Sequence, residues 1–212
     1  MRSPSRLTPA APPRRPPMPL PLPIHGAPVV IPHWEWRTFA PAGCEMALDG
    51  LGTRLGSAEG TEIRLICLPS SHDVAIRDGR MTLKWRKQAR REGLECWDTV
   101  LDSTFPCPRE TVQRLFEAWD VPSPEHPRPS YTLSAFLEEA VQSHPDLRVV
   151  EVKTHTEAFS VGGARCEWTR LTANAVPCQC LCIEHEDPGL ILQVVRRLGL
   201  QARMHASYPS GL

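Results

Sequence analysis

Charged side chains recur at every second position in several short segments of this sequence. The clearest case surrounds Asp78-Gly79, a pair that suits the two-residue turn of a β-hairpin because both positions of that turn need a positive φ angle. One face of the hairpin then carries the basic side chains Arg77, Arg80, Lys84 and Arg86. Like charges opposed across a ladder destabilise it. Such a face either lies in water or receives an anion, and the hairpin alone leaves both interpretations open.

Acidic and basic side chains alternate with apolar ones in other segments that have the pattern of strands. Successive side chains of a strand point to opposite faces, so these segments have one charged and one apolar face. The charged faces carry Glu35 with Arg37, Glu62 with Arg64, and Glu184 with Glu186, and the apolar faces carry Trp34 with Trp36, Ile63 with Leu65, and Leu181 with Ile183. The charged faces lie either in bulk water or inside a closed barrel that holds water, metal ions and anions.

Three amphipathic helices favour the closed barrel, because their apolar stripes need a surface to pack on. Residues 109–119 have apolar side chains at helical spacing, residues 132–141 repeat the pattern behind Thr132 as a capping residue, and a third helix begins at Pro188 and stops near Gly199. We therefore predict an α+β fold: a closed antiparallel β-barrel, or tunnel, of about eight strands with helices packed on the outside.

Proline usage separates a tail from the folded part of the chain. Eleven of the 23 prolines fall in residues 1–32, which predicts a disordered tail over residues 1–31 that could bind a partner domain. A tunnel domain is expected over residues 32–203 and a flexible tail over residues 204–212. The formal charge of zero disfavours a dedicated nucleic-acid-binding domain. No apolar run is long enough for a membrane span and no signal peptide is evident, so we expect a cytoplasmic protein, of bacterial type by its composition.

Three of the eight cysteines form the row Cys178-x-Cys180-x-Cys182. In a strand these thiols share one face and lie about 7 Å apart, which suits neither a disulfide nor a tetrahedral zinc site made by neighbouring residues. The preferred interpretation is a row of small buried thiols that lines an interior. A metal- or redox-binding protein built on this row is the alternative.

The order of the charged strands resembles the CYTH superfamily, the triphosphate tunnel metalloenzymes, from Trp34 to Leu200. Members of that family open with an E-x-E-x-K strand, in whose place this chain has His33-Trp34-Glu35-Trp36-Arg37. Members close with an acidic E-x-E strand before a helix, and here Ile183-Glu184-His185-Glu186 precedes Pro188. The resemblance implies an antiparallel tunnel that binds a triphosphate and a divalent metal.

The resemblance also implies roles for individual residues. The oxygens of a triphosphate or polyphosphate ligand would be held by Arg37, Arg64, Arg77, Lys84, Arg86 and Lys153. Glu184 and Glu186, with help from Glu35, would hold Mg²⁺ or Mn²⁺, which would polarise the terminal phosphoryl group and orient water for attack. Glu35 and Arg37 would be the catalytic residues of a metal-dependent triphosphatase.

Two replacements in the opening motif keep a second function open. His33 stands in place of the first Glu, and Arg37 stands in place of the Lys. A guanidinium is always protonated and cannot act as a base. A catalytically inactive sensor or scaffold for a phosphate ligand is therefore the alternative to the enzyme.

The register of two late strands decides where Lys153 points. A strict two-residue turn at Gly162-Gly163 pairs Ala158 with Glu167, and then Glu167 and Lys153 face opposite sides of the sheet. One bulge or a longer turn would bring them to the same side. The sequence leaves this choice open.

Overall fold

A computed structural model describes residues 33–39, 44–125 and 127–211. The Pro-rich tail expected over residues 1–31 lies outside the described residues. Among the described residues, no helix combines the length and the apolar character that crossing a membrane requires.

The predicted closed antiparallel barrel is confirmed. Eight strands form it in the order β1-β10-β9-β8-β2-β3-β4-β5, and β6 and β7 form a separate two-stranded sheet. The strands are β1 (His33–Phe39), β2 (Thr53–Cys67), β3 (Asp73–Arg77), β4 (Arg80–Ala89), β5 (Leu94–Thr104), β6 (Cys107–Pro108), β7 (Ser130–Tyr131), β8 (Leu147–Val161), β9 (Ala164–Ala173) and β10 (Val176–His185).

Glycine turns fix the register of both hairpins that the sequence predicts. Asp78 and Gly79 have φ angles of 48° and 70°, and their turn pairs Arg77 with Arg80. Gly162 and Gly163 also have positive φ angles, and their turn pairs Ala158 with Glu167 without a register shift between β8 and β9. Residues with a side chain rarely adopt a positive φ, whereas glycine does so readily. These glycines therefore allow tight turns that hold each ladder in one register.

Two apolar clusters lie between the outside of the barrel and the helices. Helix α2 (Arg109–Trp119) buries its apolar stripe against β2, β3 and β4, together with α3 (Leu133–Ala135) and the π-helix that continues it over Phe136–Val141. Helix α4 (Pro188–Arg197) packs on Trp36 and Ile183 of the opposite wall. The helices therefore occupy the outside of the barrel, as predicted, and they leave its charged face inward.

The helix α4 has the ends that its sequence predicts. Asp187 caps it, since one carboxylate oxygen accepts a hydrogen bond of 2.8 Å from the backbone N–H of Gly189. Pro188 occupies the first turn, and Gly199 follows the last turn with a φ of 70°.

Three features of the fold differ from the sequence-based expectation. Helix α1 (Cys44–Leu51) was not predicted, and β2 begins at Thr53 rather than at Thr61. The added part of β2 pairs with β8 around a bulge between Arg54 and Gly56, and it lacks the apolar alternation that marks a strand. Residues 204–211, expected to form a flexible tail, instead pack on the barrel and include the short helix α5 (Tyr208–Gly211).

Candidate functional site

The inner wall of the barrel carries acidic and basic side chains in nearly equal number. Directly paired residues of an antiparallel ladder share one face, so the pairing of all eight strands assigns each side chain to the inside or the outside. The basic side chains at inward positions are Arg37, Arg64, Arg77, Arg80, Lys84, Arg86, Arg148 and Arg165, and the acidic ones are Glu35, Glu62, Asp73, Glu95, Asp102, Glu167 and Glu184. The interior is therefore charged but close to neutral.

Two carboxylates and a thiol form a compact group on β1 and β10. Glu35 pairs with Glu184, and Cys182 occupies the next inward position of β10. One ligand atom from each of Glu35, Cys182 and Glu184 lies within 4.8 Å of the others. The Cys182 thiol donates a hydrogen bond of 3.4 Å to a Glu184 carboxylate oxygen. This group can hold a cation through mixed oxygen and sulfur donors.

Glu186 does not join Glu35 and Glu184, contrary to the expectation. Strand β10 ends at His185, and Glu186 is exposed beyond it. The alternation that predicted one shared face for Glu184 and Glu186 applies only within the strand. Because β10 ends one residue before Glu186, that side chain does not point into the interior. Cys182 takes the third position instead, and the only sequence signal for it was its place two residues before Glu184 in the cysteine row.

Arg37 lies beside this group with an unsatisfied donor. Its Nε is 3.6 Å from a Glu35 carboxylate oxygen and is buried without a hydrogen-bond partner among the described residues. Burial opposes its charge, but nearby acidic groups, the Glu35 carboxylate among them, raise the pKa of Arg37 well above its ordinary value. Arg37 is therefore a permanent cation that can donate to an anion in the barrel.

Burial makes the Cys182 thiol a poor acid. Burial is the largest cause that raises the pKa of Cys182 well above its ordinary value, and Glu35 and Glu184 add to it, whereas Arg37 opposes them. The thiol is therefore protonated in the metal-free chain. Neighbouring Cys180 is also buried, and neither thiol belongs to a disulfide.

A second group links four charged residues of β2 and β3. Arg64 donates to Glu62 at 2.6 Å and to Asp73 at 2.5 Å, and Arg77 also donates to Glu62. Burial alone would raise the pKa of Asp73, but the adjacent Arg64 lowers it below its ordinary value. The carboxylates therefore compensate Arg64 almost completely, and Arg64 has little free capacity for a phosphate.

The remaining predicted cations of the hairpin also face inward. Arg86 forms an ion pair of 2.9 Å with Glu95, which the sequence analysis did not single out. Only the pairing of Glu95 with Glu35 across β5 and β1 reveals its inward position. Lys84 has no ion pair within the part of the chain that the structure describes, so it is the cation most available to a ligand.

Lys153 points to the outside of the barrel, opposite to the expectation for a phosphate-binding residue. It pairs with Thr61 on β2 and Thr172 on β9, and both face outward. The reason is the uninterrupted register that follows from the tight Gly162-Gly163 turn, since no bulge moves Lys153 to the other face. Glu167 faces inward on that register.

The interior opens at one end into a cavity of about 570 Å³. Arg77, Arg165 and Glu167 line it, together with Glu62 and the inward face of β2 and β8. Arg165 forms an ion pair of 2.7 Å with Glu167, and the side chains of Arg77 and Arg165 are more than half exposed. We call this end, marked by Arg77 and Arg165, the open end of the barrel.

Comparison with known proteins gives matches among solved structures. No family model and no curated protein sequence matches this chain. A protein of Pyrococcus horikoshii is similar with 16% identity and a TM-score of 0.49, over 85% of this chain and 99% of the other. A protein of Hippeastrum, described as an adenylyl cyclase candidate with a dominant triphosphatase activity, is similar with 11% identity and a TM-score of 0.43, over 80% and 88%. An adenylate cyclase candidate of Bacillus halodurans is similar with 12% identity and a TM-score of 0.41, over 82% and 92%.

The fold and the inner wall together bear on the resemblance seen in the strand motifs. The chain closes an eight-stranded antiparallel barrel with helices outside, which is the architecture that the resemblance implied. Its inner wall departs from the expected pattern in the position of Lys153, in the exposure of Glu186 and in the addition of Cys182.

Proposed function

We propose that the barrel interior binds a triphosphate or polyphosphate group together with a divalent cation. The observation that carries this proposal is that Arg37, Lys84 and Arg86 share the inner face of one closed barrel with the paired Glu35 and Glu184. Guanidinium and ammonium groups hold phosphate oxygens by charge-assisted hydrogen bonds, and carboxylates hold hard divalent ions.

The charge balance of the inner wall supports binding that depends on a metal. Most inward arginines already have a carboxylate partner, so the interior has no large excess of positive charge. A triphosphate carries several negative charges into this neutral, partly desolvated space. A divalent cation that enters with the ligand supplies the missing positive charge and lowers the cost of burying it.

The donor set of Glu35, Cys182 and Glu184 fits a divalent cation, although it is mixed in character. The two carboxylates suit Mg²⁺ and Mn²⁺, whereas a thiolate suits Zn²⁺ better. When bound, such an ion polarises a terminal phosphoryl group and lowers the pKa of a coordinated water. Arg37 and Lys84 would orient the phosphate oxygens against the ion.

Hydrolysis of the bound phosphoanhydride is the catalytic form of this function. It is supported by the Glu35–Glu184 pair, because a metal-activated water needs no strong protein base. A non-catalytic sensor is the second form, and the Arg at position 37 favours it because a guanidinium cannot take a proton from water. Both forms share the same binding site, so one set of measurements separates them.

The test measures binding and phosphate release by the purified full chain. Tripolyphosphate, ATP and thiamine triphosphate are titrated calorimetrically with Mg²⁺, with Mn²⁺ and without metal, and phosphate release is followed in parallel. Lys84→Ala should weaken binding by roughly tenfold or more, as expected for the loss of one charge-assisted hydrogen bond worth about 1.5–3 kcal/mol. Lys153→Ala, which removes a lysine from the outer face, is the matched control and should leave binding unchanged.

The outcomes are distinct. Metal-dependent binding with phosphate release supports the triphosphatase, and binding without release supports the sensor. Absence of binding for every ligand, or equal loss in the Lys84 and Lys153 variants, would contradict a phosphate site inside the barrel.

A further inference from the structure

The C-terminal residues of the described chain pack at the end of the barrel opposite to the open end. Tyr208, in helix α5, is 8% exposed and belongs to an apolar cluster with Val152, Leu171 and Cys180. These three side chains face inward by their ladder positions, so the Tyr208 ring lies inside the barrel wall. The ring also contacts Phe39 edge-on, with 6.0 Å between the ring centroids.

Tyr208 contacts two of the charged residues that line the interior. The guanidinium carbon of Arg64 lies 4.0 Å from the centroid of its ring, and that of Arg37 lies 4.9 Å from it. A cation over an aromatic face is attracted by the ring, most strongly where water is excluded. The guanidinium groups of Arg37 and Arg64 therefore pack against the ring of Tyr208.

The segment before Tyr208 is bound to the barrel through its backbone. Strand β5 starts opposite Trp36, so the edge of β1 beyond Trp36 has no β5 partner. The segment takes that place: the N–H of Ala206 donates to the carbonyl of Arg37 at 3.0 Å, and the hydroxyl of Thr38 donates to the carbonyl of Met204 at 2.7 Å. These two bonds attach the segment to β1 next to Tyr208.

Two glycines are needed for this segment to fit. A Cβ atom on Gly93 would lie 2.6 Å from the ring of His205, and one on Gly211 would lie 2.1 Å from the ring of Phe39. Both distances are below any van der Waals contact. The lack of a side chain at these two positions therefore leaves space for the segment near both of its ends.

The depth of the interior between the two ends is short. Strand β3 runs from Arg77 at the open end to Asp73, which binds the Arg64 that rests on Tyr208. At about 3.3 Å per residue this distance is about 13 Å along the strand, and about 10 Å along the axis of a barrel with strands tilted by about 40°. A few linked phosphates are about as long as this depth, whereas a long chain exceeds it.

We propose that Tyr208 is the floor of a one-ended pocket and a specificity-determining residue, which restricts the ligand to the terminal phosphates of a chain. Terminal triphosphate groups fit between the open end and Tyr208, whereas the inner part of a long polyphosphate cannot pass through. This inference rests on the proposed function, because it concerns the length of the ligand that the same site accepts.

The test uses stoichiometry, because a chain that cannot pass through a protein binds only by its ends. The full-length chain is titrated with tripolyphosphate and with linear polyphosphates of increasing length in Mn²⁺, and bound protein per phosphate chain is measured by analytical ultracentrifugation. Only binding that excess tripolyphosphate displaces is counted, which removes contacts with the outer surface. The wild-type protein should bind one molecule per chain end whatever the length of the polyphosphate.

Variants at position 208 test the role of the ring itself. Tyr208→Ala should let protein molecules thread onto the chain, so their number per chain should grow with its length. Tyr208→Phe keeps the ring and should behave as the wild type, and circular dichroism verifies that each variant is folded. A variant that ends at Ala206 gives a second removal of the floor.

The possible failures are distinguishable. Absence of tripolyphosphate binding by the wild-type protein contradicts the proposed function. Wild-type protein that binds tripolyphosphate but loads long chains in proportion to their length contradicts the one-ended pocket, even if no variant folds. A folded Tyr208→Ala protein that still binds only chain ends contradicts the role of Tyr208.

Discussion

Arg64→Met tests how much the ion network of the inner wall contributes to the stability of the barrel. Arg64 is 5% exposed and donates to Glu62 at 2.6 Å and to Asp73 at 2.5 Å. Removal of one partner from a buried ion pair costs about 3–5 kcal/mol, because the other charge is left uncompensated. Glu62 keeps Arg77 as a partner, so we expect the lower value of about 3 kcal/mol. For a chain of this size that loss lowers Tm by roughly 6–12 °C.

The pH dependence of this effect has a defined sign. Arg64 holds the pKa of Asp73 below its ordinary value despite burial, so the stability that this pair contributes is full above the ordinary carboxyl pKa and is lost as the pH falls through the folded pKa. Without Arg64, burial raises the pKa of Asp73, because the protonated carboxyl group is less costly to bury than the carboxylate. The variant therefore loses stability as the pH rises. The difference in Tm between the two proteins should therefore be largest near neutral pH and shrink in acid.

Thermal unfolding followed by circular dichroism, at about pH 7 and at about pH 3, measures both effects, because the second pH lies below the ordinary carboxyl pKa. Arg80→Met is the matched control, since Arg80 pairs with Asp102 at 2.5 Å where both side chains are exposed and solvent screens the charges. A Tm for Arg64→Met that equals the control at neutral pH would refute the network as a source of stability. A difference from the wild type that is the same at both pH values would refute the role of Asp73.

Three further changes test other parts of the structure. Cys182→Ser should weaken Zn²⁺ binding more than Mn²⁺ binding in calorimetric titrations, because it replaces the one soft donor of the candidate site. Cys166→Ser, on the outer side of the barrel, is the control and should change the binding of neither ion. Equal losses for both ions in Cys182→Ser would show that Cys182 is not a ligand of the site. Asp187→Ala should lower the free energy of unfolding by about 1 kcal/mol in urea titrations, because it removes the cap on the N–H of Gly189, and no loss would contradict the capping role. Trp119→Ala should lower the free energy of unfolding by about 3–5 kcal/mol in the same measurement, because the ring is 2% exposed between the outer helix and the barrel. A loss below about 1 kcal/mol would show that this cluster does not hold the helix on the barrel.

The sequence contained most of the information that defines the strands. Alternation of charged and apolar residues predicted β1 over its observed range, and the Asp78-Gly79 turn predicted the register of β3 with β4. These signals are local, because side-chain direction in a strand depends only on parity and a tight turn fixes the pairing beside it. The added part of β2 has no such signal, since its side chains are mostly exposed and its pairing comes from β8 alone.

Site residues were predictable as members of a charged face, but their neighbours were not. Glu95 reaches the site because β5 closes the barrel on β1, which joins residues far apart in the chain. Cys182 could be placed on the inner face from its spacing, but its approach to Glu35 required the pairing of the first strand with the last. Lys153 was predicted to face inward and faces outward instead, because a shift of one residue in the strand register moves a side chain from the inside to the outside of the barrel.

The amino-acid sequence by itself determined that this protein has charged strand faces, apolar opposite faces and helices able to cover them. It determined these features because periodicity is a property of neighbouring residues. Only the tertiary structure decided which charges neutralise one another, which donor completes the candidate metal group, and that Tyr208 packs against Arg37 and Arg64 inside the barrel. Those outcomes depend on closure of the sheet and on contacts between distant segments, which no local pattern records.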